Sequence, residues 1–149
     1  MYLKISGMKF IESNIFKKLG KHDDIELETG KFYFYEEFVV VEINEGAEFT
    51  FEKSRTLFEF AFKKYKGKPF GYISNRINSY TSYPEDYGKA NNYLPSLIAF
   101  APVTYTKDAK NFTALERKFC RVSFENFTDL EDAVEWMKGL VKKARSKKQ

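Results

Sequence analysis

The residues best suited to bind a ligand or a partner lie in a polar, tyrosine-rich span from 72 to 87, YISNRINSYTSYPEDY. Serine, asparagine and tyrosine side chains donate and accept hydrogen bonds, and a guanidinium can hold a carboxylate or phosphate through two parallel bonds. Ligands of an open parallel sheet collect where the carboxyl ends of neighbouring strands meet. This span follows one predicted strand, and Asn44 and Glu45 follow another. The candidate binding residues are therefore Asn44, Glu45, Ser74, Asn75, Arg76, Asn78, Ser79 and Tyr80.

Arg76 is the central residue of this candidate site, and two roles are open to it. Its planar guanidinium could hold a carboxylate or phosphate of a ligand. Alternatively, it pairs with Glu42 or Glu45 and ties two loops together. Glu42 follows three valines, so its carboxylate would need a partner if the strand buries it. The structural pair is the interpretation we favour.

Signatures of catalysis and of metal binding are missing from the sequence. One histidine, His22, and one cysteine, Cys120, exclude an internal disulfide and a zinc site built from these ligands. The sequence contains neither a glycine-rich phosphate loop nor a G-x-S-x-G elbow. We therefore predict that the protein is not an enzyme and has no metal and no cofactor, and that Cys120 is a buried, inert thiol.

Charge and hydropathy indicate a cytoplasmic protein with a basic end. Residues 138–149, KGLVKKARSKKQ, hold six lysines and arginines and no acid, so the rest of the chain carries a net charge of −2. Such a tail could make weak contact with an anionic membrane surface, but it does not indicate specific nucleic-acid binding. The alternative, which we favour, is that positive charge at the C-terminal end of a helix suits the helix dipole and solubility. No segment has the roughly 20 apolar residues of a membrane span, and the start lacks the pattern of a secretion signal.

The periodicity of apolar residues predicts the element order β-β-α-β-α-β-α-β-α, which is typical of a mainly parallel sheet covered by helices. We expect an N-terminal arm or short helix in residues 1–24, one domain over 25–142 and a basic tail at 143–149. Strands are predicted at 26–35, 38–44, 69–74, 96–103 and 121–126. Helices are predicted from Thr50 to Gly67, at 84–94, at about 107–119 and after residue 128.

Three details of the helices can be compared directly with a structure. Phe62 is expected on the buried face of the first long helix. The helix at 107–119 is expected to bury Ala109, Phe112, Leu115 and Phe119. The sequence TDLE at 128–131 predicts a capping box, in which the Thr128 hydroxyl caps the last helix.

Three stretches of the sequence carry a resemblance to a known family, namely GKFYFYEEFVVVEINEG, PFGYISNRINSY and FTDLEDAVEWM. Over residues 25–140 the chain resembles the STAS fold of bacterial anti-sigma-factor antagonists, and more specifically the SpoIIAA-like proteins. It implies a mostly parallel sheet of four to five strands, an antiparallel edge hairpin and about four helices. It also implies a cytosolic regulatory or ligand-binding module, often dimeric, related in shape to lipid-carrying CRAL-TRIO domains and associated with membranes in some members.

The phosphorylated serine of the antagonists has no clear counterpart, because NSYTSYPEDY lacks the usual Asp-Ser pair. Ser82 is the best placed candidate, since it precedes a helix led by Pro84 whose amides would attract a phosphate. The alternative, which we favour, is that Ser82 simply caps that helix.

Two functions are consistent with these features. The first is a noncatalytic STAS-like regulatory module that binds a protein partner or forms a homodimer. The second is a small carrier or sensor of an apolar, lipid-like ligand that could act at a membrane surface. A carrier requires a sizeable apolar cavity beside the first two long helices, whereas a partner-binding module requires an exposed apolar or tyrosine-rich patch.

Overall fold

The computed structural model describes residues 7–147 of the 149-residue chain. The helices in this range are α1 (Asn14–Lys18), α2 (Arg55–Tyr65), α3 (Asp86–Tyr93), α4 (Lys107–Phe119) and α5 (Leu130–Ser146), and a 3-10 turn spans Phe10–Glu12. The strands are β1 (Asp23–Leu27), β2 (Gly30–Phe34), β3 (Phe38–Ile43), β4 (Glu48–Phe49), β5 (Phe70–Arg76), β6 (Thr81–Ser82), β7 (Leu97–Thr104) and β8 (Ser123–Phe124). Among the described residues, no helix is both long enough and apolar enough to cross a membrane.

The predicted α/β class, with a mostly parallel sheet and an antiparallel edge, is confirmed. Six strands form the main sheet in the order β1-β2-β3-β5-β7-β8, and β4 and β6 form a separate parallel pair. The strands from β1 to β3 are antiparallel, and β3, β5, β7 and β8 are parallel. The single strand predicted at 26–35 is instead the end of β1, a turn and β2. Glycine is needed at position 30, the first residue of β2, because a Cβ there would be 2.3 Å from the backbone oxygen of Glu42 in the neighbouring β3.

Each face of the main sheet carries its own apolar core. Helices α2 and α3, together with the segment that follows α4, cover a face rich in phenylalanine, while α5 and the N-terminal segment cover the other face. Because successive strand residues point to opposite faces, Tyr72 lies in the first core and Ile73 in the second. A functional group near the end of β5 therefore faces one core or the other according to its position in the strand.

Helix α5 packs directly on β5 and β7. Leu130, Ala133, Val134, Met137 and Val141 form its buried stripe. A Cβ on Gly71 would lie 1.9 Å from the Met137 sulfur, so glycine at this position of β5 allows the close approach of the helix. The predicted cap was wrong, because the Asp129 carboxylate, and not Thr128, accepts the amides of Glu131 and Asp132. The helix continues to Ser146, so Lys143 and Arg145 of the predicted tail belong to its last turn.

The first long helix is shorter than predicted and one of its phenylalanines points outward. Helix α2 begins at Arg55 rather than next to Thr50, whose hydroxyl accepts the Lys53 amide in the preceding turn. Phe62 is 58% exposed instead of buried. In the described part of the N-terminal arm, Phe10 and Ile15 are buried against the α5 side of the sheet. The prediction for residues 1–6 lies outside the described residues.

Candidate functional site

Arg76, the last residue of β5, forms a buried ion pair with Glu116 of α4. One terminal nitrogen of its guanidinium donates to Glu116 Oε2 at 2.7 Å, and the other donates to Oε1. The Arg76 Nε atom donates to Ser74 Oγ at 3.2 Å. The two charged side chains are only 7% and 2% exposed. The structural role that we favoured for Arg76 is therefore present, but both predicted partners were wrong.

The two predicted partners of Arg76, Glu42 and Glu45, lie away from it because of their positions in and after β3. Glu42 is an even-numbered residue of β3 whose side chain points to the α5 face. Glu45 lies beyond the end of β3, is exposed, and accepts the Ser79 amide at 3.1 Å. Glu116 was missed although the sequence contained a signal for it. It follows Ala109 by seven residues and precedes Cys120 by four, so it lies on the same helical face as both.

Two tyrosines extend the ion pair into a network. Tyr87 of α3 donates its hydroxyl to Glu116 Oε2, and the Tyr80 hydroxyl lies 3.3 Å from Ser74 Oγ. Burial raises the pKa of Tyr87 well above its usual value, and the negative charge of Glu116 adds to this shift. Tyr87 therefore stays protonated and remains a donor throughout the physiological pH range.

A small apolar cavity lies between this network and helices α2 and α3. Its volume is about 70 Å³. Half of its lining residues are aromatic, and Arg76 and Glu116 also line it. Pockets for drug-sized ligands typically measure about 300–1,000 Å³. The cavity is in the place where a carrier would need one, but it holds only a few waters or a very small molecule.

Asn75 belongs to a second network on the opposite face of the sheet. Its Nδ2 atom donates to Glu42 Oε2 at 2.7 Å and to the Met8 carbonyl at 2.9 Å. Its Oδ1 atom accepts the Tyr105 hydroxyl at 2.6 Å. Glu42 also accepts the Phe10 amide at 2.7 Å. These bonds hold the N-terminal segment against the sheet, so the buried Glu42 carboxylate is satisfied by two donors without a cation.

An open cleft of about 450 Å³ collects most of the predicted site residues at the carboxyl edge of the sheet. Its lining includes Glu45, Arg76, Asn78, Ser79 and Tyr80. Within this group, the Asn78 side chain donates to the Ile43 carbonyl at 3.0 Å. At least one polar group of the cleft therefore stabilises the loop. The cleft does not include the other three predicted residues, namely Asn44, Ser74 and Asn75. Asn44 is exposed and donates to the Glu28 carbonyl.

Ser82 does not cap a helix as we expected. It lies in β6, which pairs with β4, and α3 begins only at Asp86. The chain from Ser82 to Glu85 is not helical, because the Pro84 that was predicted to open the helix lies in a turn before it. Ser82 lines both the cavity and the cleft. Its phosphorylation stays a prediction.

Helix α4 has the predicted bounds, but its expected inner face was wrong. Its buried residues are Thr113 and Glu116, whereas Leu115 and Phe119 are each 44% exposed and Phe112 is half-buried. The physical reason is the charge of Arg76, which would be buried without a partner if Glu116 pointed to solvent. Pairing these charges turns the apolar residues of α4 to the surface. Phe112, Leu115 and Phe119 form the outer flank of α4.

Comparison with known proteins supports the fold that the geometry defines. The structure is similar to that of an uncharacterized protein of the DUF3478 family with a SpoIIAA-like fold from Shewanella loihica PV-4, with a TM-score of 0.52 and 12% sequence identity. The match covers 92% of this chain and 98% of that chain. No protein-family model and no curated protein matches the chain. The protein is thus an α/β domain with a SpoIIAA-like fold, as the resemblance of its sequence implied.

Proposed function

We propose that this protein is a noncatalytic STAS-like regulatory module that works by binding a protein partner. The observation that carries the proposal is the outer flank of α4, where two large apolar side chains remain 44% exposed on a helix that buries a glutamate. Clustered apolar groups at the surface mark interaction sites, whereas scattered ones need no explanation. Leu115 and Phe119 are four residues apart and therefore adjacent on the helix.

The state of the polar groups supports a noncatalytic role. Arg76 and Glu116 are bound to each other, and Asn75 and Glu42 are bound to each other. General acid–base catalysis needs a side chain that can reach the substrate and exchange a proton with it. Here, the buried charges hold β3, β5, α4 and the N-terminal segment together.

The dimensions of the cavity weigh against the carrier function. A lipid-like ligand would have to fit a space of about 70 Å³, which is well below the volume of common ligand pockets. Widening that space would require α3 and the β4–β6 pair to move away from the sheet.

Native mass spectrometry of the protein purified gently from its own host tests this proposal. We expect a complex whose excess mass corresponds to a second polypeptide. The experiment should be repeated with Leu115→Gln/Phe119→Gln to ask whether the complex depends on the outer flank. A stoichiometric bound small molecule, released on denaturation, in place of a polypeptide would refute the proposal in favour of a carrier or sensor.

A further inference from the structure

We propose that the small cavity beside Arg76 binds a small neutral molecule that combines an apolar body with one oxygen acceptor, as a short-chain ketone does. This site goes beyond partner binding and does not depend on it. Three features carry the inference: buried donors without acceptors, the balance of charge around the cavity and its size.

The first buried donor is the hydroxyl of Tyr72. This residue lines the cavity, is only 8% exposed, and stacks on Phe100 with the ring centres 5.0 Å apart. Its hydroxyl has no hydrogen-bond partner among residues 7–147, whereas those of Tyr80 and Tyr87, which also line the cavity, are bonded. Because a buried polar group without a partner costs free energy, the Tyr72 hydroxyl favours an occupant that bonds to it.

Arg76 supplies further donors to the same cavity. A guanidinium has five N–H groups, and in Arg76 two of them bind Glu116 and one binds Ser74. The other two have no acceptor within the described part of the chain, although the side chain is only 7% exposed. Burial raises the pKa of Tyr72 well above its usual value, and the nearby charge of Arg76 opposes this shift. The Tyr72 hydroxyl is therefore protonated at neutral pH, and both side chains favour an acceptor in the cavity.

The charges around the cavity favour a neutral occupant. Arg76 and Glu116 neutralise each other. Among the described lining residues, the remaining charged group is the Asp86 carboxylate, which accepts the Phe51 amide at 3.0 Å. An anion would be repelled by Asp86 and would compete with Glu116 for the guanidinium. A cation would have to leave water for a space whose free polar groups are donors.

The size of the cavity limits the size of the molecule. A dry cavity of about 150 Å³ holds benzene, so a space of about 70 Å³ suits a molecule of about four non-hydrogen atoms. Arg76, Tyr80 and Ser82 line both the cavity and the open cleft, so the cleft is the route of entry. Affinity is limited for each atom of a ligand, and we expect a dissociation constant on the order of 1 mM. Such a ligand is lost during purification and does not change the mass spectrum expected for the partner complex.

NMR titration of the isotope-labelled protein tests the inference with three probes of nearly the same size and shape. Acetone is neutral and has an acceptor, acetate is its anionic counterpart, and isobutene has no polar atom. We expect acetone to cause saturable shifts of the amide signals around the cavity. Acetate should bind at least tenfold more weakly, because it would bring a charge into an apolar space. Isobutene measures the contribution of the apolar space alone.

Matched variants of the protein identify the donor. Tyr72→Phe removes the hydroxyl and keeps the ring that stacks on Phe100, so it should weaken acetone about two- to tenfold and leave isobutene unchanged. Tyr93→Phe makes the same change in α3 at a residue that does not line the cavity, and it should change neither affinity. Ala90→Leu adds a side chain at a lining position of α3 and should abolish saturable binding of both probes. Unaltered thermal unfolding would confirm that the three variants are folded.

Several results would overturn the inference. Shifts that rise in proportion to the acetone concentration without saturating would mean that only water occupies the cavity. Tighter binding of acetate than of acetone would refute the neutral class of ligand. Equal effects of Tyr72→Phe on acetone and isobutene, or equal effects of Tyr72→Phe and Tyr93→Phe on acetone, would refute the hydrogen bond. Each of these results leaves the proposed partner binding intact, because native mass spectrometry tests it separately.

Discussion

Removing one member of the Arg76–Glu116 pair should strongly destabilise the protein, while removing both should not. The two side chains are 7% and 2% exposed. Leaving one such charge buried without a partner costs about 3–5 kcal/mol, whereas replacing a whole buried pair by apolar side chains is close to neutral. We therefore expect losses of about 3–5 kcal/mol for Arg76→Met and for Glu116→Leu. The double variant should lose far less than the sum of these two values.

The free energy of unfolding can be measured by urea titration, since the chain has a single tryptophan, Trp136. Its ring lies 5.5 Å from that of Phe127 on the α5 side of the sheet. Its fluorescence therefore reports loss of the core, and Trp136 lies on the face of the sheet opposite to the substituted pair. Linear extrapolation gives the free energy in water. Lys18 and Glu131 form a matched exposed pair at 3.2 Å, with side chains 65% and 45% exposed. Glu131→Gln should cost at most about 1 kcal/mol.

The reasoning about this pair would be refuted by either of two results. Losses of less than about 1 kcal/mol for both single variants would mean that the pair behaves like an exposed one. Additive losses in the double variant would mean that Arg76 and Glu116 act independently, since residues in one network are expected to show a coupling energy. In either case, the ion pair would not fix the rotation of α4.

Three further predictions address the packing of α5 and the thiol. Asp129→Ala should lower the free energy of unfolding by about 1 kcal/mol because Asp129 caps α5. Thr128→Ala should lower it by less than about 0.5 kcal/mol. Equal losses for the two variants in urea unfolding would contradict the assignment of the cap. Gly71→Ala should cost about 1–3 kcal/mol by crowding Met137. Combined with Met137→Ala, it should cost less than the sum of the two single variants, and strict additivity would argue against the contact. Burial raises the pKa of the Cys120 thiol, so less of it is thiolate at pH 7 than in a free cysteine with a pKa of about 8.5. At pH 7, iodoacetamide should therefore alkylate Cys120 more slowly than it alkylates glutathione, and the rate should increase as the pH rises past about 8.5. An inflection of the rate profile below that pH would contradict burial as the cause of the pKa shift.

The elements were predictable wherever one local pattern determined them. Helix α4 has the predicted bounds, and the stretch FVVVEI in β3 has the nearly continuous apolar sequence of a strand covered on both faces. β1 was not recognised as a separate strand because only Ile25 and Leu27 supply apolar side chains, and a turn of two residues separates it from β2. Strands with one weakly buried face leave a faint pattern.

The candidate site was less predictable because it depends on a partner from a distant element. The sequence indicated that Arg76 could pair with Glu42 or Glu45 or hold a ligand, whereas apolar periodicity assigned Leu115 and Phe119 to the inside of α4 and left Glu116 outside. The cost of an unpaired buried charge outweighs the burial of two apolar side chains. In addition, β5 continues to Arg76 instead of ending at residue 74. Asn75 is therefore a strand residue on the opposite face rather than part of the same loop.

The strand order of the main sheet has a consequence for biosynthesis. In β1-β2-β3-β5-β7-β8, every strand of this sheet pairs with the strand of the same sheet that precedes it in the chain. A nascent chain that folds from its N-terminus can add strands one after another at a single growing edge, with no strand inserted between two that are already paired. The two covering layers are not completed together, however. Helices α2 and α3 are synthesised between the strands they cover, whereas α5 follows every strand of the sheet. Until α5 emerges from the ribosome, the apolar surface that includes Ile73 and Ala101 lacks the cover of this helix, so its exposure to aggregation lasts until all six strands have been made.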